Sequence, residues 1–156
     1  MKAATETESQ TTGSSRARII LNLIAAIISL AGLADAIYLA VAAMTGDMEI
    51  CAGSRGCLEV LGSSYSKIAG LPVAFLGVLG YFVTFALATL AGFGSKRAPK
   101  LFNLTVAVMF AMTLWLLYAQ AFLLHAFCRY CLFSAAFTFL LSGIAVAGFP
   151  STEEET

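Results

Sequence analysis

Residues 19–44 read IILNLIAAIISLAGLADAIYLAVAAM, an apolar run in which Asp35 is the one charged residue. About 20 helical residues cross the hydrocarbon of a bilayer, so this run is long enough to span. It also exceeds the roughly 7–15 apolar residues of a cleaved signal. Arg16 and Arg18 stand just before it. Residues 1–15 are polar, rich in Ser, Thr and Glu, and lack apolar periodicity, so they are predicted to be a disordered tail.

The rest of the chain repeats the pattern. Of its 156 residues 60% are hydrophobic and only 12% are charged, against about 45–50% and about 25% in soluble domains. Such a chain has too few polar residues to cover a soluble surface, and the bilayer removes that requirement. Further spans are predicted at about 70–93, 101–124 and 128–149, leaving 150–156 as a second tail. The fold class is therefore an all-α membrane protein, a four-transmembrane-helix bundle formed by residues 16–149. Leu58, Leu61, Tyr65 and Ile68 recur at helical spacing, which predicts a short interfacial helix over 57–68 in the first long connection. Pro72 suits the first turn of the second span. Ala74, Gly77, Thr84 and Ala88 approximate one small-residue face for close helix packing. Formal net charge is zero, so nothing points to nucleic acid.

Charge orients the bundle. Lys2, Arg16, Arg18, Lys96, Arg97 and Lys100 fall on one side of the four spans, and only Arg55, Lys67 and Arg129 on the other. The positive-inside rule then puts both termini in the cytoplasm. All four cysteines are expected at the outer face of a cell inner or plasma membrane, where disulfides persist.

Cys128-Arg129-Tyr130-Cys131 is a Cys-x-x-Cys motif at the predicted start of the last span. Residues three apart share a helix face, and the free amides of a helix N-terminus stabilise a thiolate. That combination suits thiol–disulfide exchange. A structural bond across so small a loop would stabilise little. Cys51 and Cys57 form a second pair in a segment loosened by Gly53 and Gly56. A mobile pair above a fixed pair suggests an electron shuttle, and a simple loop staple is the plainer reading. The five-residue gap does not match usual zinc spacing, so no metal is expected.

Below Cys131, Ser134, Ala135, Thr138 and Ser142 share a face that either packs on another helix or lines a cavity. In the second case Phe127 and Tyr130 supply an aromatic wall for a flat lipid-soluble molecule. Asp35 is a costly intramembrane acid, either functional or neutral and hydrogen-bonded inside the bundle. His125, at the outer end of the third span, is either a proton donor or a solvated loop residue.

The order of these features resembles the vitamin K epoxide reductase family, specifically its bacterial and archaeal homologues. The resemblance rests on Cys51-x5-Cys57, on residues 58–67 (LEVLGSSYSK), on Gly70-Leu71-Pro72-Val73-Ala74, and on residues 127–134 (FCRYCLFS). It implies a bundle holding a quinone of the ubiquinone or menaquinone class near its outer end. Cys131 would lie beside the quinone, Cys128 would exchange with Cys57, and Cys51 would meet an external thiol. Ser63, six residues after Cys57, matches a serine or threonine typical of the family. Animal members carry a tyrosine where Ala135 stands, which favours quinone reduction over epoxide reduction. Many bacterial members carry a fused thioredoxin-like domain after the bundle. None follows before Thr156, so a separate thioredoxin-fold partner is expected.

The implied activity is that of a membrane thiol:quinone oxidoreductase driving disulfide formation in exported proteins. Two alternatives stand beside it. One is a non-catalytic membrane protein with structural disulfides. The other is an oxidase of the disulfide-bond protein B type, in which the Cys-x-x-Cys comes first in the chain rather than last.

Overall fold

The structure is a computed structural model. It describes residues 2–46, 55–68 and 70–148, with side chains from residue 16 onward except at 58, 66, 68 and 148. Helix α1 covers Lys2–Thr45, α2 Arg55–Gly62, α3 Val73–Gly92, α4 Ala98–Tyr118 and α5 Arg129–Gly148. Four segments are long and apolar enough to cross a membrane: Arg16–Thr45, Val73–Gly92, Ala98–Leu123 and Arg129–Ala147. Helix α1 packs on α3 and α5, and α4 packs on the other flanks of α3 and α5. Leu23, Ile27, Leu79, Leu104 and Val108 are more than half exposed on the outside of this bundle. Such a surface suits hydrocarbon, where apolar side chains are at no disadvantage and each helix satisfies its own backbone.

Helix α1 begins at Lys2, where a disordered tail was expected over 1–15. Ala3, Ala4, Glu6, Glu8 and Gln10 are strong helix formers, and extending an existing helix avoids the nucleation penalty. The predicted interfacial helix is also shorter than its periodicity implied. Helix α2 stops at Gly62, and a 3-10 turn, Ser64–Ser66, follows. Strand β1, Lys67–Ile68, then pairs antiparallel with β2, Leu71–Pro72. Gly70 turns between them at φ 84°, a conformation that glycine adopts without steric cost. Consequently α3 starts at Val73, and Pro72 is its N-cap, in extended geometry, rather than part of its first turn.

Two buried clusters hold the bundle. The central one joins Ala25 and Ala36 of α1, Tyr81 and Ala88 of α3, Phe102 and Val106 of α4, and Leu141 and Ala145 of α5. Small residues admit the large ones. A Cβ on Gly32 would collide with the Tyr81 ring, so only glycine leaves room for that ring against α1. Hydroxyls inside the bundle bond one turn back. Ser29 donates to the Ala25 carbonyl, Thr84 to that of Gly80, and Ser142 to that of Thr138, which satisfies them without water. The second cluster closes one end of the bundle. It joins Leu39 and Ala42 of α1, Cys57, Val60 and Leu61 of α2, and Ala126 and Cys128 of the connection before α5.

Candidate functional site

This end cluster contains two of the four cysteines, and a third packs against it. Cys57 is 2% exposed and Cys128 is fully buried within it, and the partly buried Cys131 packs against it. Helix α2 is amphipathic, and its apolar residues Val60 and Leu61 seat it on the bundle. That seating carries Cys57 to the start of α5. Gly56 makes the approach close, because a Cβ there would meet the Phe127 carbonyl oxygen at 2.8 Å. Cys57 is disulfide-bonded, whereas Cys128 and Cys131 are free thiols. Cys51, the other predicted loop cysteine, lies outside the described residues.

Cys128 stands immediately before α5. Its carbonyl accepts the Leu132 N–H at 3.1 Å, closing the first helical turn. Its sulfur accepts the Cys131 N–H at 3.4 Å, the position an N-cap oxygen takes in other helices. The side chain of Cys131 also hydrogen-bonds this sulfur. That bond is the main influence holding the Cys128 thiol below its ordinary pKa, with the amides of Cys131 and Tyr130 adding to it and burial opposing it. The helix N-terminus thus favours a thiolate at Cys128.

The connection before Cys128 is tightly built. Helix α4 ends in a π-helical turn, Ala119–Leu123. His125 follows at φ 49°, the one non-glycine residue with positive φ among the described residues. Its side chain is exposed. Gln120, 1% exposed, accepts the Cys128 N–H on its side-chain oxygen at 3.0 Å. No motif marks Gln120 in the sequence, although an amide inside an apolar span is costly enough to merit attention.

Tyr81 was likewise not singled out, yet it organises the face below Cys131. Its hydroxyl donates to the Ser134 carbonyl at 2.7 Å and lies 3.1 Å from Ser134 Oγ and 3.0 Å from Thr138 Oγ1. Ala135 and Thr138 are turned into the bundle, and Thr138 is satisfied by Tyr81 and by the Ser134 carbonyl. Asp35 lies within electrostatic range of Tyr81, Cys128 and Cys131. Its Oδ2 is buried and has no hydrogen-bond partner.

The other predicted residues are more dispersed. Tyr130 packs its ring against Tyr38 of α1, with centroids 5.0 Å apart, and Phe127 is 59% exposed. Ser63 has a local task, donating from Oγ to the Val60 carbonyl at 2.8 Å at the end of α2.

A sequence profile of the vitamin K epoxide reductase family matches residues 23–146. The thiol-disulfide oxidoreductase LTO1 of Arabidopsis thaliana is 32% identical over 121 residues, which cover 72% of this chain and 32% of that protein. The chain thus spans about a third of that relative's length.

Proposed function

Because the chain belongs to the vitamin K epoxide reductase family, we propose that it is a membrane thiol:quinone oxidoreductase that oxidises a thioredoxin-fold partner. The observation that carries this reading is the shared cluster in which a disulfide-bonded Cys57 and the free thiol of Cys128 are buried together, with Cys131 one turn further on. A bonded Cys57 and the free thiols of Cys128 and Cys131, gathered at one end of the bundle, suit a relay.

In this relay a partner thiolate attacks Cys51 of a Cys51–Cys57 disulfide and releases Cys57 as thiolate. Cys57 attacks Cys128 of an oxidised Cys128–Cys131 pair, and Cys131 leaves with the electron pair. The second partner thiol then resolves the bond to Cys51, and the partner departs oxidised. Cys51 next attacks Cys57 and expels Cys128. The lowered pKa of Cys128 favours that departure, since a more acidic thiol is the better leaving group. The resulting state, with Cys57 bonded and Cys128 and Cys131 both free, matches the one described above. Cys128 and Cys131 close their disulfide again as two electrons and their two thiol protons leave.

A quinone supplies the acceptor for those electrons and protons. The residues around Cys131 fit an apolar ring bearing polar oxygens. Cys131 is only partly buried, and Tyr130 and Tyr38 pair beside it. Within electrostatic range, Asp35 offers a buried carboxyl oxygen without a partner. Such an oxygen inside an apolar bundle is costly unless something polar meets it. We place Cys131, Tyr130, Phe127 and Ser134 nearest the acceptor. Arg16, Arg18, Lys96, Arg97 and Lys100 lie at the opposite end of the bundle from α2, and by the positive-inside rule that end faces the cytoplasm. The cysteines then face the compartment of exported proteins, and the relay drives their disulfide formation.

The test is turnover of quinone absorbance by the purified protein with a reduced thioredoxin-fold substrate. Wild type is expected to reduce quinone in proportion to substrate oxidised, and Cys131→Ala to lose this activity. Equal turnover by Cys131→Ala overturns the proposal.

A further inference from the structure

A buried amide inside an apolar span must find partners within the protein. Gln120 bonds twice to the connection that leads to the redox motif, once through its backbone carbonyl and once through its side-chain amide. The widened turn at the end of α4, closed by the Leu124 N–H to the Ala119 carbonyl at 2.9 Å, leaves the Gln120 carbonyl free for the Ala126 N–H at 3.2 Å. The Gln120 side-chain oxygen accepts the Cys128 N–H at 3.0 Å. Gln120 and Cys128 are 1% and 0% exposed, so no water replaces either bond.

The second bond matters because of what Cys128 is. It occupies the N-cap of α5, and its sulfur receives the amide of the third helical residue, Cys131. In a capping box the exchange is mutual, and the side chain of that third residue returns to the N–H of the N-cap. Here the third residue is Cys131, whose sulfur is a weak acceptor and is occupied in redox exchange. The geometry points to Gln120 as the residue that supplies the missing half of this capping box from the preceding helix. It is a positioning residue, holding the backbone of Cys128 so that the sulfur stays over the amides of α5 and inside the cluster that contains Cys57. This inference rests on the reading of Cys128 and Cys131 as an exchanging pair. It needs neither the quinone nor the partner.

A sign follows from the chemistry. Charge on the Cys128 sulfur exists only in the reduced pair, and the helix amides stabilise it there. Losing the Gln120 bond loosens that arrangement, so the reduced pair suffers more than the disulfide. The equilibrium with glutathione should then shift toward the disulfide, by about tenfold, equivalent to about 30 mV for a two-electron couple.

The experiment equilibrates the full-length protein in detergent with graded glutathione mixtures. Mass spectrometry after alkylation reads the Cys128–Cys131 peptide. Gln120→Met, which keeps the volume but loses the acceptor, is expected to show the tenfold shift. Gln120→Glu, which in its neutral form keeps an acceptor oxygen where the amide oxygen stood, should stay within about threefold of wild type. Should Gln120→Met fail to fold, Gln120→Asn, one methylene too short to reach, carries the same expectation. A potential unmoved in Gln120→Met while thermal stability falls overturns the inference and leaves the proposed function standing. So does a Gln120→Glu shift as large as that of Gln120→Met. A wild-type pair that stays reduced at every glutathione ratio overturns both.

Discussion

Gly56 lies against the backbone of Phe127, where a Cβ would sit 2.8 Å from the carbonyl oxygen. Each of these residues directly precedes a cysteine, Cys57 in one case and Cys128 in the other. The backbones that carry the two sulfurs therefore meet one residue upstream of them. Neither carbonyl nor helix backbone yields as a flexible side chain would, so any side chain at position 56 must push α2 off the start of α5. Gly56→Ala is expected to slow formation of a Cys57–Cys128 disulfide by about tenfold, the effect of about 1.4 kcal/mol. The measurement is the rate of that bond's appearance under mild oxidant in a background lacking Cys51 and Cys131. An unchanged rate would show that the close approach does not control exchange.

Gly32 and Tyr81 form a second steric pair, deep in the bundle. A Cβ on Gly32 would collide with the Tyr81 ring, and Tyr81 is pinned by its bonds to Ser134 and Thr138. Gly32→Ala should lower stability in detergent by about 1–3 kcal/mol through overpacking. In a Tyr81→Leu background the same change should cost clearly less, because the ring it collides with is gone. Strict additivity in thermal or denaturant unfolding would show that the two residues do not interact.

Asp35 sets stability against function. Its orphaned Oδ2 is a liability in the apolar bundle, so Asp35→Leu is expected to raise the unfolding temperature. If the carboxyl handles a proton between Cys131 and the acceptor, the same variant should slow quinol formation by about 100-fold, within the range typical of acid–base catalysis. Exchange between the cysteine pairs, followed by thiol trapping, should be little changed. Full quinone turnover in Asp35→Leu would leave the carboxyl no part in the chemistry.

The reactivity of Cys128 should depend on its neighbour. The hydrogen bond from Cys131 is the main cause of its lowered pKa, so thiolate at Cys128 persists to a lower pH than at an ordinary cysteine. Removing that donor in Cys131→Ala should move the thiolate titration, read by ultraviolet absorbance, to higher pH. Cys131→Ser, which retains an O–H donor, should move it less. A titration that does not respond to position 131 would assign the effect to the helix amides alone.

Much of the architecture was legible in the chain. Long apolar runs announce membrane spans because hydrocarbon accepts only helices or closed barrels, and the four runs became four helices. The ends of elements were harder to read. The apolar spacing from Leu58 to Ile68 resembled one helix, but the chain turns at Gly62 and pairs Lys67 with Pro72 instead, since a helical period in a short segment does not exclude a stop. The tail before Arg16 looked unstructured by polarity, although its residues favour helix once α1 provides a template. At the site, the cysteines declared themselves by type and spacing. Tyr81 and Gln120 did not, because a polar residue in an apolar span says only that it needs a partner.

Composition and order alone determined that this chain carries four helices long and apolar enough to cross a bilayer. Hydrophobicity and charge act locally and survive in a linear reading. The tertiary structure alone decided which groups meet: Tyr81 with Ser134 and Thr138 more than 50 positions away, Gln120 with the amide of Cys128, and Gly56 with Phe127. Those contacts follow from how helices cross and where a connection turns, and hydrogen bonding and steric exclusion act only over the few ångströms that packing creates.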